Sequence, residues 1–212
     1  GHKFTCDSKP EVTKWMDYGK DHYATVTFDN APEGRHVALA WMSNWQYAAQ
    51  VPTMQYRSGN SIPRDLGLFE HKGETYCSVV PSQEVTSARS KKATKTLSEA
   101  CELVVNLKGD ATITLSNAKN EKVVMSYDAK NETFSMDRTQ SGKIDFSDDF
   151  AVKTTAPTYG KLKQLRIFID KSSIEAIDAE GKMAMTNLVF PTKPYNKVTV
   201  KGKGKYVVYN LK

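Results

Sequence analysis

Apolar residues along this 212-residue chain recur in short runs with a period of two, separated by turn residues, and helical spacing is almost absent. Runs rich in Val, Ile, Thr, Tyr and Phe predict strands near His22–Phe28, His36–Met42, Ile62–Glu70 and Glu74–Val80. A second series is expected near Ala100–Leu107, Ala111–Ser116, Lys122–Tyr127 and Thr133–Met136. A third follows near Ala151–Thr154, Leu162–Ile169, Ser173–Asp178, Met183–Phe190, Lys197–Val200 and Tyr206–Asn210. Turn chemistry at Lys108-Gly109-Asp110, Asn117 to Asn120, Ala129-Lys130-Asn131 and Ala179-Glu180-Gly181 predicts hairpins. Leu165, Ile167 and Ile169 share one face, opposed across the Lys171-Ser172-Ser173 turn by Ile174, Ala176 and Asp178.

Residues 82–96 are polar, basic and aperiodic, which reads as a linker or surface crossing. The alternating strands of residues 97–212 describe a two-sheet sandwich. Residues 1–81 hold about four strands, roughly one propeller blade, whose edges need partners. An all-β chain is therefore expected, with one whole domain preceded by part of another.

Composition adds limits. With 39% hydrophobic and 25% charged residues the chain should fold. Thirty Lys and Arg against 24 Asp and Glu give a net charge of +6, spread along the chain except at Lys91-Lys92 and Lys201 to Lys205. No basic helix or RNA-binding motif accompanies it, so a plain basic surface is favoured over nucleic-acid binding. Cys6, Cys77 and Cys101 fit no metal-ligand spacing, and Cys77 and Cys101 read as small core residues. No apolar run is long enough for a membrane helix. An opening on Gly1-His2 without a Met leads us to expect that the native chain starts elsewhere.

The densest chemistry is Trp15-Met16-Asp17-Tyr18-Gly19-Lys20-Asp21-His22-Tyr23-Ala24, followed by Ala40 to Ala48 and Ser61 to Leu66. Aromatic faces beside amides and carboxylates suit sugar recognition, because a ring covers the C–H face of the sugar while polar groups read its hydroxyls. Ordinary packing of Trp and Tyr at strand ends explains the same composition.

These segments resemble glycoside hydrolase family 32, the levanases, inulinases and invertases. In that family a Trp-x-Asp-Tyr-Gly-Lys-Asp-x-Tyr-Ala run precedes Trp-Met-Ser-Asn-Trp-x-Tyr-Ala and then Pro-Arg-Glu-Leu. Here they stand at Trp15 to Ala24, Trp41 to Ala48 and Pro63 to Leu66, with Asp65 in place of Glu. Leu165 to Glu175 resembles the signature of the family's C-terminal sandwich, and Asn187 to Pro191 its Phe-Pro strand end.

The resemblance implies the last blade of a five-bladed β-propeller followed by a β-sandwich. It implies the C-terminal portion of a retaining glycosidase that cleaves fructosyl linkages in levan, inulin or sucrose, with no cofactor and no metal. The family's nucleophile motif Trp-Met-Asn-Asp-Pro-Asn-Gly, its Arg-Asp-Pro and its acid/base Glu-Cys are absent here. Arg64-Asp65 and Cys101-Glu102 only look like them. No catalytic residue is therefore assigned, and the chain alone is expected to be inactive.

Trp41, as the resemblance implies, lines the fructose pocket. Asp17 and Lys20 either shape its leaving-group side or form a plain salt bridge, Asn44 and Trp45 are further candidates, and His22 reads as packed or solvated. The implied partners are a fructan or sucrose-like carbohydrate, the missing N-terminal blades and a second copy docked through the sandwich. By analogy the parent acts outside the cytoplasm, secreted, periplasmic or on the cell surface. Two other readings of the sandwich stay open, a lectin-like sugar-binding module and a structural brace. Aromatics at outward positions are few there, with Tyr127, Phe134 and Tyr195 scattered, which favours the brace.

Overall fold

A computed structural model describes residue 3, residues 5–6 and residues 8–212; the opening Gly1-His2 lies outside the described residues. Four strands, β1 (Tyr23–Thr27), β2 (Val37–Met42), β4 (Arg64–His71) and β5 (Glu74–Pro81), form an antiparallel sheet in the order β1-β2-β4-β5. The short β3 (Gly59–Asn60) pairs with the end of β2. This is the expected one-blade sheet. Its free edge and faces leave Val26, Phe28 and Leu68 more than half exposed.

Helix α1 (Gln83–Ser87) follows, and the chain then crosses to the second sheet, held to its far end by isolated bridges from Arg89 to Leu211 and Thr94 to Val208. That sheet comprises β6 (Cys101–Ser116), β7 (Lys122–Asp128), β8 (Thr133–Gln140), β9 (Lys153–Pro157), β10 (Gln164–Ile169), β11 (Ser173–Asp178), β12 (Ala184–Leu188) and β13 (Lys197–Asn210).

The ten runs expected here are eight strands, because two pairs are continuous. No hairpin forms at Lys108-Gly109-Asp110, where β6 instead bends and carries on. Its first half pairs with β10 and its second with β7, while β13 runs antiparallel along both. The register of β13 breaks between Gly202 and Gly204, opposite the bend. A side chain at Gly202 would sit 2.4 Å from the Asp110 carbonyl, so only glycine lets the two strands turn this corner together. The sheet thus folds on itself into a sandwich, with β12-β11-β10 in one layer and β7-β8-β9 in the other. The other three expected hairpins form.

The main core lies between the layers. Leu103, Val105, Ile113, Leu115, Met125, Met136, Leu165, Ile167 and Ile174 are all fully buried there. Each such side chain contributes about 1.5–3 kcal/mol by leaving water. The register Ile169↔Ile174, Ile167↔Ala176 and Leu165↔Asp178 is the one alternation predicts. Tyr127, Phe134 and Tyr195 are buried in this core, not scattered over the surface, because the folded sheet turns their positions inward. Cys101 is buried and Cys77 half-buried.

Every residue of β11 and β12 is buried, whereas a sheet open to water on one face would expose alternate positions. The inner face meets the core and the outer face meets the blade. Val79 packs with Phe168, Ile177 and Ala184, and Met42, Tyr47 and Val51 pack with Phe150, Leu188 and Phe190. The blade and sandwich share these two apolar clusters, and polar groups between them must find partners inside the joint.

Candidate sugar-facing site

The segment from Trp15 to Tyr23 lies in that joint. Its backbone is fastened along β12: Tyr18 N–H donates to the Ala184 carbonyl at 2.8 Å, Asp21 N–H to the Thr186 carbonyl at 3.1 Å, and Lys20 N–H to Asn187 Oδ1 at 3.0 Å. Gly19 is required by closeness, since a Cβ there would stand 1.8 Å from the Thr186 oxygen.

Asp17 and Asp21 both turn inward. Asp17 accepts from the N–H groups of Gly19 and Thr186, the Thr186 hydroxyl at 2.7 Å and Arg64 Nη1 at 2.8 Å. Arg64 reaches on to Glu175 at 2.7 Å, and Glu175 accepts the Ile62 N–H at 3.0 Å. Asp21 accepts from the Tyr47 hydroxyl and Arg138, each at 2.6 Å, and from Leu188 N–H at 2.8 Å. Blade and sandwich are therefore joined by two buried ionic networks, one centred on Arg64 and the other on Arg138. Each carboxylate has the hydrogen bonds that make a buried charge tolerable.

The electrostatics follow. Burial alone would raise the Asp17 carboxyl, but Arg64, His22 and the Thr186 hydrogen bond together hold it below the usual range. Glu175, also beside Arg64 but with fewer donors, is raised by burial. His22 is pushed down to about 4, first by burial and then by the Arg64 charge, with Asp17 opposing.

The outer side of the segment borders an open hollow of about 550 Å³. Trp15, Lys20, His22, Tyr23, Asn44 and Trp45 line it, together with Asp17 and, from the sandwich, Thr155. Trp45 is 72% exposed, Trp15 62% and Tyr23 53%, so large ring surfaces face water. Trp41 stands behind them, half-buried, its ring 5.0 Å from Trp45 and 6.2 Å from Tyr23, with its indole N–H donating to the Ser58 hydroxyl.

Of the site residues named from the sequence, Asp17, Lys20, Asn44 and Trp45 border one hollow, and Trp41 packs against Trp45. Asp17 and Lys20 do not pair with each other. Arg64 takes the carboxylate, and Lys20 Nζ donates to Gln46 Oε1 at 2.6 Å. The Asn44 amide donates to the Lys20 carbonyl at 2.8 Å and accepts Gln46 N–H, which fixes the rim. Sequence reasoning missed Arg138, Tyr47, Thr186 and Thr155. Two of them left a trace: Tyr47 lies in the Trp41 to Ala48 run, and Arg138 is a charge at the alternating apolar positions of β8.

Among the described lining residues Asp17 is the only carboxylate, and its oxygens are already engaged. The hollow can bind and orient, through rings, an ammonium group and amides. Its described lining residues include no pair of carboxyl groups to break a glycosidic bond. Glu102 is likewise held, between Arg89 and Arg166 at 2.5 Å each.

Residues 70–212 match the description "Glycosyl hydrolases family 32 C terminal", and residues 1–79 match "Glycosyl hydrolases family 32 N-terminal domain". A levanase of Bacillus subtilis (strain 168) is 34% identical over 91% of this chain and 32% of its own length. An extracellular exo-inulinase of Aspergillus awamori is 33% identical over 91% of this chain and 41% of its own. The crystal structure of exo-inulinase from Aspergillus awamori superposes with a TM-score of 0.87 at 25% identity, covering all of this chain and 48% of that one. A β-fructofuranosidase from Schwanniomyces occidentalis, complexed with fructosyl-erythritol, gives 0.77 at 21% identity over 99% and 51%. The chain thus spans about a third to two fifths of the length of the curated relatives described.

Proposed function

We propose, from the premise that this chain belongs to glycosyl hydrolases family 32, that it is the C-terminal share of an enzyme cleaving fructosyl linkages in fructans or sucrose-like sugars. The observation that carries the proposal is the ring-lined hollow at the joint, in a chain of this family whose own sequence contains none of the motifs for the catalytic carboxylates. The whole protein works by double displacement through a fructosyl-enzyme, with nucleophile and acid/base on the part that precedes this chain. Residues 1–81 give the closing blade, residues 82–96 the crossing and residues 97–212 the sandwich.

Within that reading Trp41 and Trp45 form the aromatic wall of the sugar site, and Lys20 and Asn44 supply hydroxyl partners at its rim. Asp17 acts from behind, by holding the wall to Arg64 and Thr186. The sandwich serves as a brace, a reading supported by the burial of Tyr127, Phe134 and Tyr195, whose rings are not offered to a separate lectin site. The whole protein acts outside the cytoplasm, as the extracellular exo-inulinases among its relatives do by name.

Reducing-sugar release from levan, inulin and sucrose tests this. The isolated chain should match a boiled control while the whole protein releases fructose. Hydrolysis by the chain alone would overturn the division of labour.

A further inference from the structure

A second hollow, on the sandwich and sharing no residue with the site above, has a different character. Where β6 and β13 bend together, about 470 Å³ of open space is lined by Lys108, Lys130, Lys161, Lys163 and Lys203. These five come from four separate stretches of chain: the β6 bend, the β7–β8 turn, the approach to β10 and the β13 bulge. Folding converts lysines that look scattered in the sequence into one basic concavity.

Little inside the hollow offsets that charge. Asp110 is the only carboxylate among its described lining residues, and one oxygen accepts the Ala129 N–H at 2.8 Å. Lys163 pairs with Glu180 at 2.9 Å. Among the described residues, Lys108, Lys130, Lys161 and Lys203 have no carboxylate within ion-pair distance. Like charges gathered in a concavity repel one another and focus a positive field outward, and an anion seated there relieves both effects.

The scaffold beneath is firm. The Tyr127 hydroxyl, buried in the floor, accepts the Leu162 N–H at 3.0 Å, and Leu107 N–H donates to the Lys163 carbonyl at 2.7 Å. The Lys203 stem lies across Gly109, where an added Cβ would stand 3.0 Å from its Cδ. The volume falls within the roughly 300–1,000 Å³ of ligand pockets.

We infer that this hollow binds a linear acidic polysaccharide, a glycan bearing a carboxylate or sulfate on successive units. Exposed Lys201 and Lys205 extend the row of charge along β13, which suits a chain better than a single small anion. Lysines present point charges on flexible stems that can follow the anions of a flexible chain, and no arginine lines the hollow to grip a phosphate or base bidentately. Among its described lining residues the one aromatic, Tyr127, is buried and its ring is not free to stack on nucleic-acid bases. Its concavity does not suit a flat membrane surface.

The test uses this chain and polygalacturonate as probe, with affinity measured over a series of salt concentrations. Wild type should bind, more weakly as salt rises. Lys108→Gln/Lys161→Gln/Lys203→Gln should lose about tenfold or more in affinity with an unchanged melting temperature. A control removing the same charge elsewhere, Lys72→Gln/Lys91→Gln/Lys92→Gln, should keep wild-type affinity. Equal weakening by the control would reduce the effect to net charge and overturn the site. Duplex DNA or anionic vesicles held as tightly through the same three lysines would overturn the polysaccharide assignment.

Discussion

Arg138 on β8 donates to Asp21 at 2.6 Å, and neither residue reaches solvent, so a sandwich guanidinium neutralises a carboxylate from the segment that begins the blade. The Phe150 ring lies 3.9 Å from the guanidinium carbon, and the Tyr47 hydroxyl bonds to both partners. Removing one member leaves the other as a buried, unpaired charge. Asp21→Asn or Arg138→Met should each cost about 3–5 kcal/mol of unfolding free energy. The double variant should cost clearly less than their sum, because it leaves no orphan charge. Denaturant unfolding of the four proteins measures this, and additive losses would show that the pair does not act as a unit.

Gly19→Ala tests the clasp along β12. The added methyl would overlap the Thr186 carbonyl, and backbone on both sides cannot yield cheaply. Overpacking of this kind costs about 1–3 kcal/mol or more. Limited proteolysis should then cut the Trp15–Tyr23 segment faster while the sandwich core stays intact. Gly73→Ala, at a turn with open space around it, controls for general glycine effects. Its positive φ makes a small loss of stability the expected result there, with no change in cleavage of the clasp.

His22 gives a pH prediction. Its folded value is depressed to about 4 from an ordinary 6.5, so between those two values the unfolded chain binds a proton that the folded chain refuses. Stability contributed by neutral His22 is whole above pH 6.5 and falls as pH drops towards 4, by roughly 1–3 kcal/mol. The neighbouring Asp17, depressed too, withdraws its own contribution only at lower pH. Thermal unfolding from pH 7 to 4 should show a steeper fall for wild type than for His22→Asn. Parallel curves would contradict the assignment.

The sequence made the strands legible wherever one face meets the core. Leu165, Ile167 and Ile169 could be placed by alternation alone. It could not show that the opposite face of β11-β12 is also buried, because Glu175 and Thr186 look like solvent-facing residues until the blade packs on them. Lys108-Gly109-Asp110 carries turn chemistry, and only the matching glycines of β13 reveal a bend instead of a hairpin. The candidate site was visible as clustered rings and polar groups near Trp15 and Trp41. Its inner half was not, since Asp17 meets Arg64 across 47 positions and Asp21 meets Arg138 across 117.

Trp45 and Trp41 carry the proposed sugar contact, and Trp45 is exposed enough to be removed without opening a core cavity. Losing an aromatic surface of this kind against sugar should remove roughly 1.5–3 kcal/mol. That corresponds to a fall on the order of 10- to 100-fold in kcat/KM. Trp41→Phe, which keeps a ring against Trp45 but loses the Ser58 bond, should show a smaller loss in the same direction. The deciding measurement is kcat/KM for fructose release from levan and inulin by the whole protein carrying Trp45→Ala, taken together with its melting temperature. The expected result is a kinetic loss on the order of 10- to 100-fold at an unchanged melting temperature. A wild-type kcat/KM per folded molecule, or a whole protein that releases no fructose at all, would contradict it.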